Sequence, residues 1–167
     1  MFVKQSTALA CALLATPFLA LPSYADDAAQ CQANQGSFVK GTVVGTPAFA
    51  SSRSKRHGYP LSHTRLNVKT ADGSVLEVDI DNVFASGYSK KRQIPSGLQA
   101  IIEGTSLELC GQSYADPGGK SGIHWVHTNC GATPTPTQPN GWVKIISSNG
   151  SVGDNLEGAQ DLCNIFN

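Results

Sequence analysis

Two short alternating segments joined by a glycine turn limit the fold more than any other part of this sequence. His63 to Thr70 sets Leu66 and Val68 on one side and His63, Arg65, Asn67 and Lys69 on the other. Val75 to Asp81 repeats the pattern, with Leu76, Val78 and Ile80 opposed to Glu77, Asp79 and Asp81. Strict alternation is the mark of a half-buried strand, and Asp72-Gly73 between the two is a hairpin signal. Register then decides the chemistry. A two-residue Asp-Gly turn sets Leu66 opposite Asp79, an apolar face against a charged one. A three-residue loop, Ala71-Asp72-Gly73 with Gly73 left-handed, pairs Leu66 with Val78 and restores both faces. That register also sets Arg65 opposite Asp79 and His63 opposite Asp81.

The rest of the chain also reads mainly as strands. Ser37 to Thr46 is rich in Val and Thr, with Gly41 allowing a bend or a close approach. Leu98 to Cys110 and Trp142 to Ile146 are further strands, and Gly104 suits a bulge. The turn Asp116-Pro-Gly-Gly-Lys120 leads into Ile123-His124-Trp125-Val126-His127-Thr128-Asn129-Cys130. Residues 131–141 make an extended, proline-rich excursion. From Asp154 the pattern predicts a short helix, capped by Asp154 with Glu157 completing a capping box; Leu156, Ala159, Cys163 and Phe166 form its stripe. These elements predict an all-β domain over 37–147, a small OB-like β-barrel, with a β-sandwich as the alternative. A polar arm, 26–36, precedes it, extended or weakly helical, and a tail, 148–167, carries the short helix.

The N-terminus bears on compartment. Lys4 precedes an apolar run from Ala8 to Leu21, and Ser23 and Ala25 suit the −3 and −1 positions of a secretory signal peptide over 1–25. The run is too short, and Pro17 too disruptive, for a membrane span. The expectation is a periplasmic or secreted chain starting at Asp26 with no transmembrane segment. Four cysteines follow the signal: Cys31, Cys110, Cys130 and Cys163. In an exported domain an even count predicts two disulfides. Cys110 and Cys130 flank the Asp116–Lys120 turn, which favours Cys110–Cys130 and leaves Cys31–Cys163. A zinc site is disfavoured, since no Cys-x-x-Cys spacing occurs.

Charge is sparse and balanced at net zero, which excludes a polycation or an acidic tail. Eight of the eleven Lys and Arg residues after the signal lie between Arg53 and Arg92, six of them in two clusters, Arg53-Ser-Lys55-Arg56-His57 and Lys90-Lys91-Arg92. They read as two solvated loops or, more sharply, as an anion-attracting rim.

The elements His63-Thr-Arg65, Asp79-Ile-Asp81, Gly122-Ile-His124-Trp125-Val-His127 and Asn140-Gly-Trp142-Val resemble the successive motifs of a bacterial family catalogued as domain of unknown function 3465. Its members are small, often exported proteins. The similarity covers about residues 38–150 and rests mainly on His-Trp-x-His followed by Gly-Trp. Where the family has His-Asp-Pro after that element, this chain has Thr128, Asn129 and Cys130; a family histidine is Val78 here. The resemblance implies no activity.

Three kinds of chemistry follow from the residues. His124 and His127 are three apart on an expected strand, so they face opposite ways and no shared metal is expected. No cofactor is expected either. His63 with Asp81 has the composition of a base and its orienting carboxylate, and Arg65, His124 and His127 are the other candidates for a histidine-dependent nuclease or phosphodiesterase. Ordinary cross-strand ion pairs are the plainer account of His63–Asp81 and Arg65–Asp79. Trp125, Trp142 and Tyr114, with Arg65, could instead stack and hold a sugar ring or base. The principal expectation is a binding module for an anionic or sugar-containing ligand, nucleic acid among them. A histidine-dependent hydrolase is the second, and an inhibitor or immunity partner for another protein the third.

Overall fold

The computed structural model describes residues 24–166, so the expected signal peptide, apart from its last two positions, lies outside the described residues. In chain order the elements are α1 (Tyr24–Ala33), β1 (Ser37–Ala50), β2 (Lys55–Arg56), β3 (Tyr59–Pro60), β4 (His63–Thr70), β5 (Val75–Asp81), β6 (Ser106–Ala115), β7 (Ser121–His124) and β8 (Trp142–Ile146). Short 3-10 turns occupy Asn82–Phe84, Ser96–Leu98 and Cys163–Ile165. The main sheet runs β1-β4-β5-β7-β6-β8, and β1 pairs with β6 as well. One sheet therefore curls into a barrel-like ring. The alternative, two stacked sheets, does not occur. The ring is thinnest between β5 and β7, where two parallel pairings join Glu77 to Gly122 and Val78 to Ile123.

The β4–β5 hairpin has the register required by its alternation: Leu66 faces Val78, Arg65 faces Asp79 and His63 faces Asp81. Gly73 is left-handed, with φ 88°. Leu66, Val68, Val78 and Ile80 point inward and meet Val43, Leu107, Leu109, Ile123 and Val143 in the core. Each such side chain fully buried stabilises the fold by about 1.5–3 kcal/mol. Midway along β1 the register against β4 shifts between Val44 and Ala48, and Gly45 has φ 75°. This irregularity bends the strand so that one continuous segment serves two neighbours.

Of the two forms expected of the polar arm the helical one occurs, and the helix expected from Asp154 does not. The polar arm forms α1, and the segment after Asp154 contains only the 3-10 turn at Cys163–Ile165. The barrel has claimed the tail's backbone donors: Leu156 N–H bonds to Val143 O and Ala159 N–H to Phe84 O, at 2.8 and 2.9 Å. Asn155 Oδ1 accepts from Val143 N and Glu157 N. Those bonds replace a helix's internal ladder. Similarly, Leu98 to Thr105 is not strand; its 3-10 turn leads to β6 only at Ser106.

Both disulfides form, with a pairing different from the expected one. Cys31 bonds Cys110, and Cys130 bonds Cys163. The β6–β7 pairing ends at Gln112 opposite His124, short of either cysteine, so the turn never brings Cys110 and Cys130 together. Cys110 instead faces Phe38 on β1 and Trp142 on β8, where α1 delivers Cys31. Cys31, Cys110 and Trp142, with Phe38 against them, form a small second core. Lys144 Nζ holds Asp27 of α1 at 2.8 Å on the same side.

Candidate functional site

The site begins at the end of β5. Asp81 leaves the hairpin beside His63, and the next residue is pinned: buried Asn82 accepts from Thr64 Oγ1 at 2.7 Å and donates to Ser62 Oγ at 3.1 Å. This fixes where Asp81 stands and lets the following 3-10 turn bring Phe84 under the site. His63 Nε2 lies 2.7 Å from Asp81 Oδ1. His127 Nε2 lies 3.1 Å from the other oxygen, Oδ2, off the line of a well-formed hydrogen bond. One carboxylate thus holds two imidazoles.

His127 reaches Asp81 because β7 stops early. Alternation ends at His124, Trp125 takes the left-handed region with φ 56°, and Val126 drops into the core. The expectation that His124 and His127 lie on one continuing strand and face opposite ways fails at that turn. Past the turn, His127 Nδ1 sits 2.6 Å from Thr128 O. A carbonyl only accepts, so Nδ1 carries the proton. Gly141 N–H bonds to His127 O at 2.8 Å; a β-carbon at Gly141 would collide with the backbone of Cys110 and Trp125. Phe84 stacks on His127, centroids 4.0 Å apart. Phe166 packs on Phe84, and Arg56 lies over Phe166 while donating to its carbonyl oxygen. Trp125 leans on the other end of this column, 4.9 Å from His127.

Along the outer face, Arg65 bonds Asp79 at 2.8 Å and lies 3.7 Å from Glu77. Tyr114 donates to Glu77 at 3.2 Å and meets His124 edge-on. The titrating groups divide by surroundings. The hydrogen bond to Asp81 raises His63 above its ordinary value, against the effect of burial. Burial lowers His124. Burial alone would push Asp81 up, but the contacts from His127 and His63 outweigh it and hold the carboxyl far below its usual range. Tyr114 is pushed up to about 12 by burial and by Glu77 and Asp79. Glu157, wholly buried with both oxygens lacking a hydrogen-bond partner, is raised well above the carboxylate range by burial and then by Asp81.

The candidates therefore separate. His63, Asp81, His127 and Arg65 share the outer face or its rim with His124 and Tyr114. Trp142 is 5% exposed in the second core and has no surface on which to stack a ligand. Trp125 is half-buried, and its indole N–H is buried without an acceptor among the described residues. It lines a groove of about 120 Å³ with Arg56, Phe84, His127, Asn129 and Gln138. Sequence reasoning missed Phe84, Phe166 and Glu157, none of which carries a local signal of its neighbours.

The two basic clusters, far apart in the chain, meet here. β2 and β3 form a tight hairpin over His57-Gly58, both with positive φ, the pattern of a type I′ turn. Tyr88 Oη donates to Pro60 O at 2.8 Å, and Lys90 Nζ lies 4.1 Å above the Tyr59 ring. The loop carrying Lys90, Lys91 and Arg92 thereby packs against the hairpin carrying Lys55 and Arg56. All five cations are exposed. Asp161 lines the 270 Å³ groove beside Lys90 as a countercharge.

No group of three or more His, Cys, Asp and Glu residues suited to a metal ion occurs among the described residues. No helix among them is long and apolar enough to cross a membrane. Comparison with protein-family models, curated proteins and solved structures finds no match to this chain.

Proposed function

We propose that the chain is an exported, disulfide-stapled β-barrel that binds an anionic ligand carrying a ring, either sugar or base. One observation carries this reading: Tyr88–Pro60 and Lys90–Tyr59 join two basic clusters into a single rim. That rim ends at Arg56, on the edge of the groove lined by Trp125. Basic side chains supply sequence-independent attraction to phosphate or sulfate, and an aromatic wall supplies stacking of about 1–3 kcal/mol per ring. Two disulfides and the signal-like N-terminus support export. Likeness to domain of unknown function 3465 would add no activity to this reading.

The test is the salt dependence of binding to a single-stranded oligonucleotide and to sulfated oligosaccharides. Affinity should fall as salt rises. Reversing Lys90, Lys91 and Arg92 to Glu should flatten the log–log slope by at least about 2, the share of three phosphate contacts. Retention that ignores both salt and these substitutions would sink the proposal.

A further inference from the structure

We infer that the outer face of β4, β5 and β7 cleaves single-stranded RNA by internal transphosphorylation, with His124 as base and His63 as acid. The inference rests on the anion-binding reading above and adds a reaction and a substrate class to it.

Geometry comes first. His63, opposite Asp81, stands on one side of β5, and His124, closing β7, stands on the other. Tyr114 ties His124 to the same surface as Glu77 and Arg65. His124 follows Ile123, which pairs with Val78, so it stands level with Asp79, two residues short of the Asp81 that faces His63. Two strand spacings and that offset put the histidine backbones about 12 Å apart, a gap that two side chains leaning toward each other and one phosphodiester can fill. His124 is near enough to feel the charge of His63.

The partners then assign the roles. His63 has Nε2 committed to Asp81, so Nδ1 is the edge it offers a ligand, and the carboxylate stabilises the imidazolium. Asp79 supports that charge and Arg65 opposes it. His124 makes no hydrogen bond among the described residues, and burial disfavours its cation, against Asp81 and Asp79 and with His127 and His63. One ring is thus poised to give a proton and the other to take one, the arrangement that separates acid from base in a shared site. His127 is buried, with Nδ1 on Thr128 O and Nε2 turned to Asp81 off the line of a hydrogen bond, and acts as a positioning residue. Glu77, Asp79 and Asp81 do not leave the face repulsive, because Arg65 and His63 oppose them.

The nucleophile comes from the substrate. Thr64 and Thr128 have committed hydroxyls, and the four described cysteines are in disulfides. A ribose 2′-hydroxyl is already held beside its own phosphate, an advantage reaching effective molarities of about 10⁵–10⁸ M. In the step, His124 removes the 2′-hydroxyl proton and O2′ bonds to phosphorus. The P–O5′ bond breaks, and O5′ takes a proton from His63. The products are a 2′,3′-cyclic phosphate and a 5′-hydroxyl end. His124 leaves charged and His63 neutral, and exchange with water resets both.

The experiment uses the disulfide-intact protein, chelator, a single-stranded oligoribonucleotide and its 2′-deoxy counterpart. Both strands should be retained, and only the ribo strand cut, with a cyclic phosphate end by mass. His124→Ala and His63→Gln should each slow cleavage by about 10²–10⁴-fold while circular dichroism shows the fold unchanged. The pH–rate profile should be bell-shaped, and His63→Gln should remove its falling limb. Retention without cleavage overturns this inference alone. Loss of retention overturns the binding reading and the inference with it. Equal cutting of the deoxy strand, or cleavage unaltered in both variants, also overturns the inference.

Discussion

His63 and Asp81 face each other across β4 and β5 with 2.7 Å between Nε2 and Oδ1. The raised histidine contributes stability that is full below the free-imidazole value of about 6.5 and fades as pH rises through the folded value. The lowered carboxyl contributes above about 3.9, and its share is lost as pH falls through the folded value. The pairing is therefore strongest between about pH 4 and 6.5. Asp81→Asn should lower the titration midpoint of His63 by proton NMR. It should also cost about 1.5–3 kcal/mol of unfolding free energy within that window, as measured by denaturant melts.

Disulfide loss should be graded by loop length. The bridge Cys31–Cys110 spans 79 residues and Cys130–Cys163 spans 33. Chain entropy assigns about 4.5 and about 3.7 kcal/mol respectively. Paired serine substitutions should destabilise in that order in urea. Peptide mapping without reductant should recover Cys31 with Cys110; a Cys110–Cys130 peptide would contradict the packing of α1 on β6 and β8.

Glu157 should behave as a buried acid kept neutral. Its raised value means that the stability it adds is present below about pH 4.3 and lost as pH rises through the folded value. Glu157→Gln should match the parent at pH 4 and exceed it in alkaline buffer, where only the parent has a charge to bury, by more than the cost of an unsatisfied neutral group, about 1–3 kcal/mol. Equal stability of the two proteins at every pH would contradict this account of Glu157.

Gly122 marks the thin seam of the ring. A β-carbon there would collide with the Tyr114 ring and with Glu77 O. Gly122→Ala should cost about 1–3 kcal/mol and detach Tyr114 from Glu77, which a lowered tyrosine midpoint in ultraviolet titration would report.

The hairpin was legible because both strands keep unbroken alternation and Gly73 leaves only one loop length that satisfies both faces. Two disulfides were legible in the even number of cysteines; their partners were not. Pairing depends on where α1 and the tail land, which no spacing encodes. The left-handed turn at Trp125 has no local sign, so the chain reads as continuing strand where it in fact swings His127 onto Asp81. Glu157 reads as a capping residue until the barrel takes the tail's N–H groups, which only the tertiary structure reveals. The basic rim needed Tyr88 and Tyr59 to be neighbours.

Every strand of the ring is complete by Ile146, yet Phe166, which backs Phe84 under His127, comes later and is anchored by Cys130–Cys163. During synthesis the barrel can close before that aromatic column exists. Ordering of Phe84 and His127 should therefore lag behind acquisition of β structure, with oxidation of the second cysteine pair as the last step.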